Sequence, residues 1–129
     1  MNLVLSREDL KKLDQILVTE LVDNGIDHTF VVDISGNLIA EAGTFDMGEI
    51  LPLAALSAIN YMATERIADL IGEKDFSLVF HKGTNHHIHS CRIDKDFILV
   101  SVFGNDVSVG LVRLASRRVS QQMLPILQG

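Results

Sequence analysis

Apolar and polar positions alternate along this chain with two different periods, and the changes of period mark out its elements. From Ser6 the spacing is helical: Leu10, Leu13, Leu17 and Leu21 recur at three- and four-residue steps, supported by Ile16. Ser6 is placed as an N-cap with Glu8 and Asp9 in the first turn, and Leu5 and Leu10 as a hydrophobic staple. Asn24-Gly25 supplies a left-handed stop. The period then falls to two. His28 to Ile34 carries Phe30, Val32 and Ile34 on one face, Ser35-Gly36-Asn37 is turn chemistry, and Leu38 to Ala42 returns before Gly43-Thr44.

The stretch from about Met47 to Gly72 is again helical and has apolar residues on two sides. Pro52, Leu53, Leu56, Ile59, Ala63, Ile67 and Leu70 project one way; Leu51, Ala54, Ala55, Ala58, Tyr61, Met62 and Ala68 project the other. The large side chains suit the helix's own core, and the alanine-rich face suits close approach of a second helix. That second helix is most simply the same helix of a twin chain; the alternative is a helix buried within one subunit. Asp46 and Glu49 resemble a capping box, with Phe45 and Ile50 as a staple, but Pro52 argues for a regular start nearer Leu51.

After Gly72, Phe76, Leu78 and Phe80 alternate with Ser77, Val79 and His81; Lys82-Gly83-Thr84-Asn85 turns the chain; His86 to Ile93 is a more polar strand. Phe97 to Phe103 is apolar on both faces, as expected of a strand covered on both sides. Gly104-Asn105-Asp106 is expected to end it and cap a last helix, which carries Val109, Val112, Ala115, Val119 and Met123 and is limited by Pro125. The order is α-β-β-α-β-β-β-α. Short connections make the strand pairs antiparallel, so the predicted fold is α+β: one antiparallel sheet with helices on both faces, in one domain spanning residues 1–129.

Composition sharpens this picture. An apolar content of 47% with 22% charged residues is globular and slightly rich in apolar surface, which agrees with a covered partner face. A net charge of −6 argues against a nucleic-acid binder. No apolar run is long enough to span a bilayer, and MNLVLSRED lacks a signal-peptide pattern. The single cysteine, Cys91, fits a reducing compartment, so a cytoplasmic protein without membrane insertion is expected. Charge is uneven: from Val107 onward the chain has Arg113, Arg117 and Arg118 and no acid, an asymmetry able to orient a protein partner.

Catalytic signatures are lacking. There is no GxxxxGK[ST] loop, GxGxxG or GxSxG; Ser35 sits in a turn without a nameable base, and Asp94 and Asp96 flank another turn. The chain is therefore expected to be neither an enzyme nor a cofactor carrier. One cluster stands apart. His87, His89 and Cys91 share a strand face, with His81 opposite, and a His-x-His pair with a thiolate is a chemically coherent zinc set. Structural or partner-facing histidines, or a pH-sensitive interface, explain the same residues.

The succession VVDISGNLIAEAG, ATERIADLIG, FSLVFHKGTNHHIHSCRIDKDFILVSVF and SVGLVRLASRRV resembles the roadblock/dynein-light-chain domain, and within it the small prokaryotic MglB-type members. The likeness spans about Ser6 to Met123 and is carried by the Asp33-Ile34-Ser35-Gly36 hairpin and the passages Ile71 to Phe80 and Phe103 to Arg113. It implies a five-stranded antiparallel sheet between one helix and a pair of helices, a profilin- and longin-like architecture. It also implies a dimer joined through the long helix, Leu51 to Ile71, and the strand Phe76 to Phe80. The expected interface is then Leu51, Ala54, Ala55, Ala58, Met62, Phe76, Leu78 and Phe80. Members of this family are adaptors and partners of small Ras-like GTPases, which supply the catalytic groups themselves; Arg66 and Tyr61 are the candidate contacts to such a partner. The other reading is a small ligand- or metal-sensing module using His87, His89 and Cys91.

Overall fold

The computed structural model describes residues 4–74, 76 and 78–129. Its elements are α1 (Arg7–Glu20), a short 3-10 turn (Val22–Asn24), β1 (His28–Asp33), β2 (Leu38–Gly43), α2 (Met47–Leu70), β3 (Leu78–Lys82), β4 (His86–Arg92), β5 (Phe97–Gly104) and α3 (Val109–Leu127). The strands form a single antiparallel sheet in the order β2-β1-β5-β4-β3. This is the predicted α-β-β-α-β-β-β-α order. Ser77, part of the predicted alternation before β3, lies outside the described residues.

Two apolar layers hold the sheet between its helices. Leu13 and Leu17 of α1, Leu21 at its C-cap, and Val112, Val119 and Met123 of α3 meet Val31, Leu99 and Phe103 on one sheet face. Ala54, Ala58 and Tyr61 of α2 meet Phe30, Val32, Ile98 and Val100 on the other. Successive strand side chains point to opposite faces, so β1 and β5, in the middle, are buried along their whole apolar length.

Local chemistry explains most boundaries. The Ser6 hydroxyl accepts from the Asp9 N–H while the Asp9 carboxylate accepts from the Ser6 N–H, a complete capping box. The Asp33 carboxylate accepts from the Ser35 and Asn37 N–H groups at 2.9 Å each and closes the β1–β2 turn. Gly36 takes φ of 93° there, and a Cβ on it would press on the Ala55 backbone at 3.4 Å, so the hairpin turn rests against α2.

Both proline expectations are overturned. The α2 helix starts at Met47, capped by Asp46, and runs through Pro52; α3 runs through Pro125 to Leu127. Each proline forfeits one N–H bond. Those losses are local, whereas tertiary burial stabilises the whole helix, so neither ends it. The cap of α3 is Ser108, whose hydroxyl accepts from the Leu111 N–H, rather than Gly104-Asn105-Asp106.

Candidate functional site: the outer face of α2 and the β3 edge

The two faces of α2 are arranged opposite to the expectation. Ala54 and Ala58, 0% and 2% exposed, lie on the sheet, and Tyr61 lies beside them. The large side chains point outward: Leu56 is 63% exposed, Ile59 65% and Leu70 72%, with Leu51, Met62 and Ile67 also exposed. The cause is volume. The sheet face beneath α2 already carries Phe30, Val32, Ile98 and Val100, and Ala54 and Ala58 let the middle of the helix approach that filled surface closely, with room for one large side chain, Tyr61, beside them. Ala54 and Ala58 are therefore occupied within the subunit. The outward face thus groups Leu51, Leu56, Ile59, Met62, Ile67 and Leu70, each exposed, on one helix, and grouped exposed apolar side chains of this kind mark interaction surfaces.

The two shoulders of α2 differ. On one, Leu53, Leu56, Ser57 and Asn60 form a groove with His81, Ile88 and Ser90, so this shoulder overhangs β3 and β4. The other, at Ala55, is met by the β1–β2 turn. The C-terminal half of α2 is fastened to the sheet by an ion pair from Glu65 to Arg92, with Arg92 Nε donating to Glu65 Oε2 at 3.0 Å. The same guanidinium lies over the Tyr61 ring, 5.7 Å from its centroid, and donates to the carbonyls of Asp94 and Lys95.

The two edges of the sheet are also unlike. At β2 the pairing with β1 is broken by a bulge between Val31 and Val32, and the Glu41 N–H donates to the Asp14 carboxylate of α1 at 3.3 Å. A bulged, partly capped edge resists adding a strand. Burial holds the Asp14 carboxyl above the usual carboxylate range, the Glu41 N–H bond opposing this shift and the nearby Glu41 charge adding to it. At β3 the register with β4 is regular from Leu78 to Lys82, and Phe80, His81 and Lys82 are exposed. Among the described residues nothing covers its outer edge.

The expected interface residues are thus divided. Leu51, Ala55 and Met62 lie on the outer surface of α2, while Ala54 and Ala58 do not. Leu78 is half-buried against the α1/α3 core. Phe80 sits at the edge, stacked on Phe103 with centroids 6.2 Å apart. Phe76 precedes β3, and its carbonyl accepts from the Tyr61 hydroxyl at 3.3 Å. Tyr61 is therefore a core residue, not a surface contact. Arg66 is exposed, with Asp69 4.0 Å away. Sequence reasoning assigned Leu56, Ile59, Ile67 and Leu70 to the core; the crowding of the sheet by Phe30 and Ile98 was the signal that placed them outside.

His87, His89 and Cys91 do share one face of β4, and all three are buried there. Same-face neighbours on a strand are about 6.6 Å apart along the chain, too far for three to converge without help from elsewhere. His87 is fully engaged: its Nδ1 accepts from the Gly83 N–H at 3.2 Å and its Nε2 lies 2.7 Å from Asn105 Oδ1. Burial pushes the Cys91 thiol up to about 11, against a hydrogen bond with Ser120 that favours the thiolate, so the thiol is neutral near pH 7. Among the described residues no three His, Cys, Asp or Glu side chains are grouped to hold a metal ion. Nor, among these residues, is any helix long and apolar enough to cross a membrane.

Comparison with known proteins agrees with this architecture. The family model of the roadblock/LC7 domain matches residues 13–103. The chain belongs to the roadblock/LC7 family. Among solved structures it is similar to MglB of Myxococcus xanthus, at 32% identity and a TM-score of 0.85, over 91% of this chain and 95% of that one. It is similar to the gliding protein MglB of Thermus thermophilus, at 25% identity and a TM-score of 0.88, over 98% and 96%. An MglB with a tetrameric arrangement superposes with a TM-score of 0.90 at 25% identity, over 98% and 96%. Two Acanthamoeba castellanii profilins share the fold alone. No curated protein matches the sequence. At the level of the family, these likenesses point to a GTPase-associated regulator rather than a catalyst.

Proposed function

We propose that this roadblock/LC7 protein is a homodimeric regulator or scaffold for a small Ras-like GTPase, and that it contributes no catalytic group of its own. The observation that carries the proposal is the continuous apolar outer face of α2 beside a regular, uncovered β3 edge. Pairing β3 with its twin extends the sheet across a two-fold axis and brings the two copies of α2 together along the shoulder that overhangs β3. Leu56, Ile59 and Ile67 of one subunit then meet those of the other, an isologous contact. The exposed Leu51 and Met62, on the side of α2 flanked by the β1–β2 turn, remain as a platform for the GTPase.

A regulator of this kind works by binding one arrangement of the GTPase switch segments better than the other, which shifts their population. Arg66 lies on the outer surface near Asp69 and serves as a rim contact. The test mixes the purified protein with a Ras-like GTPase of its own cell and measures complex mass and GTP turnover. A complex of two copies with one GTPase and faster turnover supports an activator; a complex without acceleration supports a scaffold. No complex in either nucleotide state overturns the proposal.

A further inference from the structure

On the sheet face opposite α2, a cavity of about 250 Å³ opens between β4 and α3. Its floor is His89, which is 2% exposed. Neither ring nitrogen of His89 has a hydrogen-bond partner among the described residues. A buried polar group left unpaired is costly, and buried polar atoms are ordinarily satisfied. The imidazole therefore lies at the bottom of an opening, with donor capacity that the fold itself does not use.

The walls indicate what would use it. Arg113 and Arg117 line the cavity one helical turn apart on α3, with Ser120 and Cys91 also in its lining. Arg66, Arg92 and Arg118 have acidic partners in Asp69, Glu65 and Glu20. Arg113 and Arg117 have none among the described residues, and no Asp or Glu lines the cavity, although the chain holds 17 acidic residues and carries a net charge of −6. Two like charges at an i, i+4 spacing repel modestly. A concentration of unpaired positive charge around an unpartnered buried donor is the reverse of what an acidic protein accumulates by chance. Guanidinium groups present paired donors matched to tetrahedral oxyanions.

We propose that this cavity binds a small dianionic oxyanion, a phosphate either free or carried on a small molecule, with Arg113 and Arg117 as its charge partners and the His89 ring as its buried donor. The site is separate from the α2 docking face, so its failure leaves the proposed function untouched. Burial, followed by the charge of Arg113, lowers the pKa of His89, so the ring is neutral at pH 7. A bound dianion opposes both effects and draws a proton onto the ring. Around the ring stand the Arg113 and Arg117 guanidinium groups, the neutral Cys91 thiol and Leu78 of β3. Arg92 is turned to Glu65, and both nitrogens of His87 are engaged.

Sulfate is the decisive probe, because its charge is constant from about pH 5 to pH 8, across the ordinary titration range of histidine. Calorimetry at constant ionic strength should show saturable sulfate binding that tightens by up to about tenfold per pH unit as pH falls, with one proton taken up. The His89 ring resonances should titrate at higher pH when sulfate is present. The double variant R113Q/R117Q, altered at two exposed positions, should keep its melting temperature, lose at least about tenfold in affinity, and lose the His89 shift. Phosphate and glycerol phosphate form the second arm. Tighter binding of the ester assigns a phosphorylated small molecule, and binding of the free ion alone assigns phosphate. Absence of saturable binding by sulfate and phosphate, or an equal His89 response in R113Q/R117Q, overturns the site.

Discussion

Replacing Leu56 with arginine tests which face of α2 meets a partner. Leu56 is 63% exposed in the single subunit, so the folded chain accommodates the longer side chain. In the proposed dimer the residue is covered. Full burial of a leucine side chain gains about 1.5–3 kcal/mol, so covering the exposed fraction contributes roughly 1–2 kcal/mol per copy. An isologous contact counts this twice, giving a loss of roughly 2–4 kcal/mol. Two unpaired cations near the two-fold axis add several kcal/mol more. At about 1.4 kcal/mol per factor of ten, the dissociation constant rises at least about a thousandfold. Light scattering at micromolar concentration should then report a folded single chain, its melting temperature lowered only by the lost association. The companion variant Ala58→Arg separates the two faces. Ala58 is 2% exposed beneath α2, so a buried cation there disrupts the subunit itself and lowers the melting temperature sharply. A Leu56→Arg protein that keeps its dimer mass, or an Ala58→Arg protein that folds normally, refutes the assignment of faces.

Other expectations follow from particular contacts. Glu65→Gln leaves the Arg92 guanidinium half-matched beneath α2, and breaking such a largely buried pair costs on the order of 3 kcal/mol, read as a lowered denaturant midpoint with an unchanged slope. Arg66→Ala should change GTPase binding and stimulated turnover by less than about fivefold, since an exposed pair contributes about 1 kcal/mol or less; complete loss of stimulation would make Arg66 an inserted catalytic group. Stability should fall as pH drops below 6.5, because the unfolded chain protonates His89 there and the native ring resists; His89→Gln should flatten that dependence. Cys91 should react slowly with alkylating reagents at pH 8, its thiol being buried and held near 11; rapid labelling of folded protein would contradict this.

Element order and sheet type were legible because they depend on local periodicity and turn chemistry. The period-two run from His28, the Asp33 turn and the doubly apolar Phe97–Phe103 strand each state their role within a few residues. Helix ends at prolines were misjudged because the local rule at Pro52 and Pro125 competes with tertiary burial that a short window does not contain. The orientation of α2 was illegible for a related reason. Its sequence shows two apolar faces, and the choice between them rests on the sizes of Phe30, Val32, Ile98 and Val100, which come from two distant strands. The histidine cluster was correctly placed on one face of β4. Its chemistry is set from elsewhere: Gly83 and Asn105 engage His87, and Arg113 and Arg117 surround the opening above His89.

The mass of the unmodified protein in solution bears most directly on the account. Light scattering should give twice the 14.2 kDa of one chain at micromolar concentration, with the backbone amides of β3, from Leu78 to Lys82, slow to exchange with solvent. A single-chain mass with freely exchanging β3 amides would mean that Leu56, Ile59 and Ile67 face water, and the proposed assembly would be wrong.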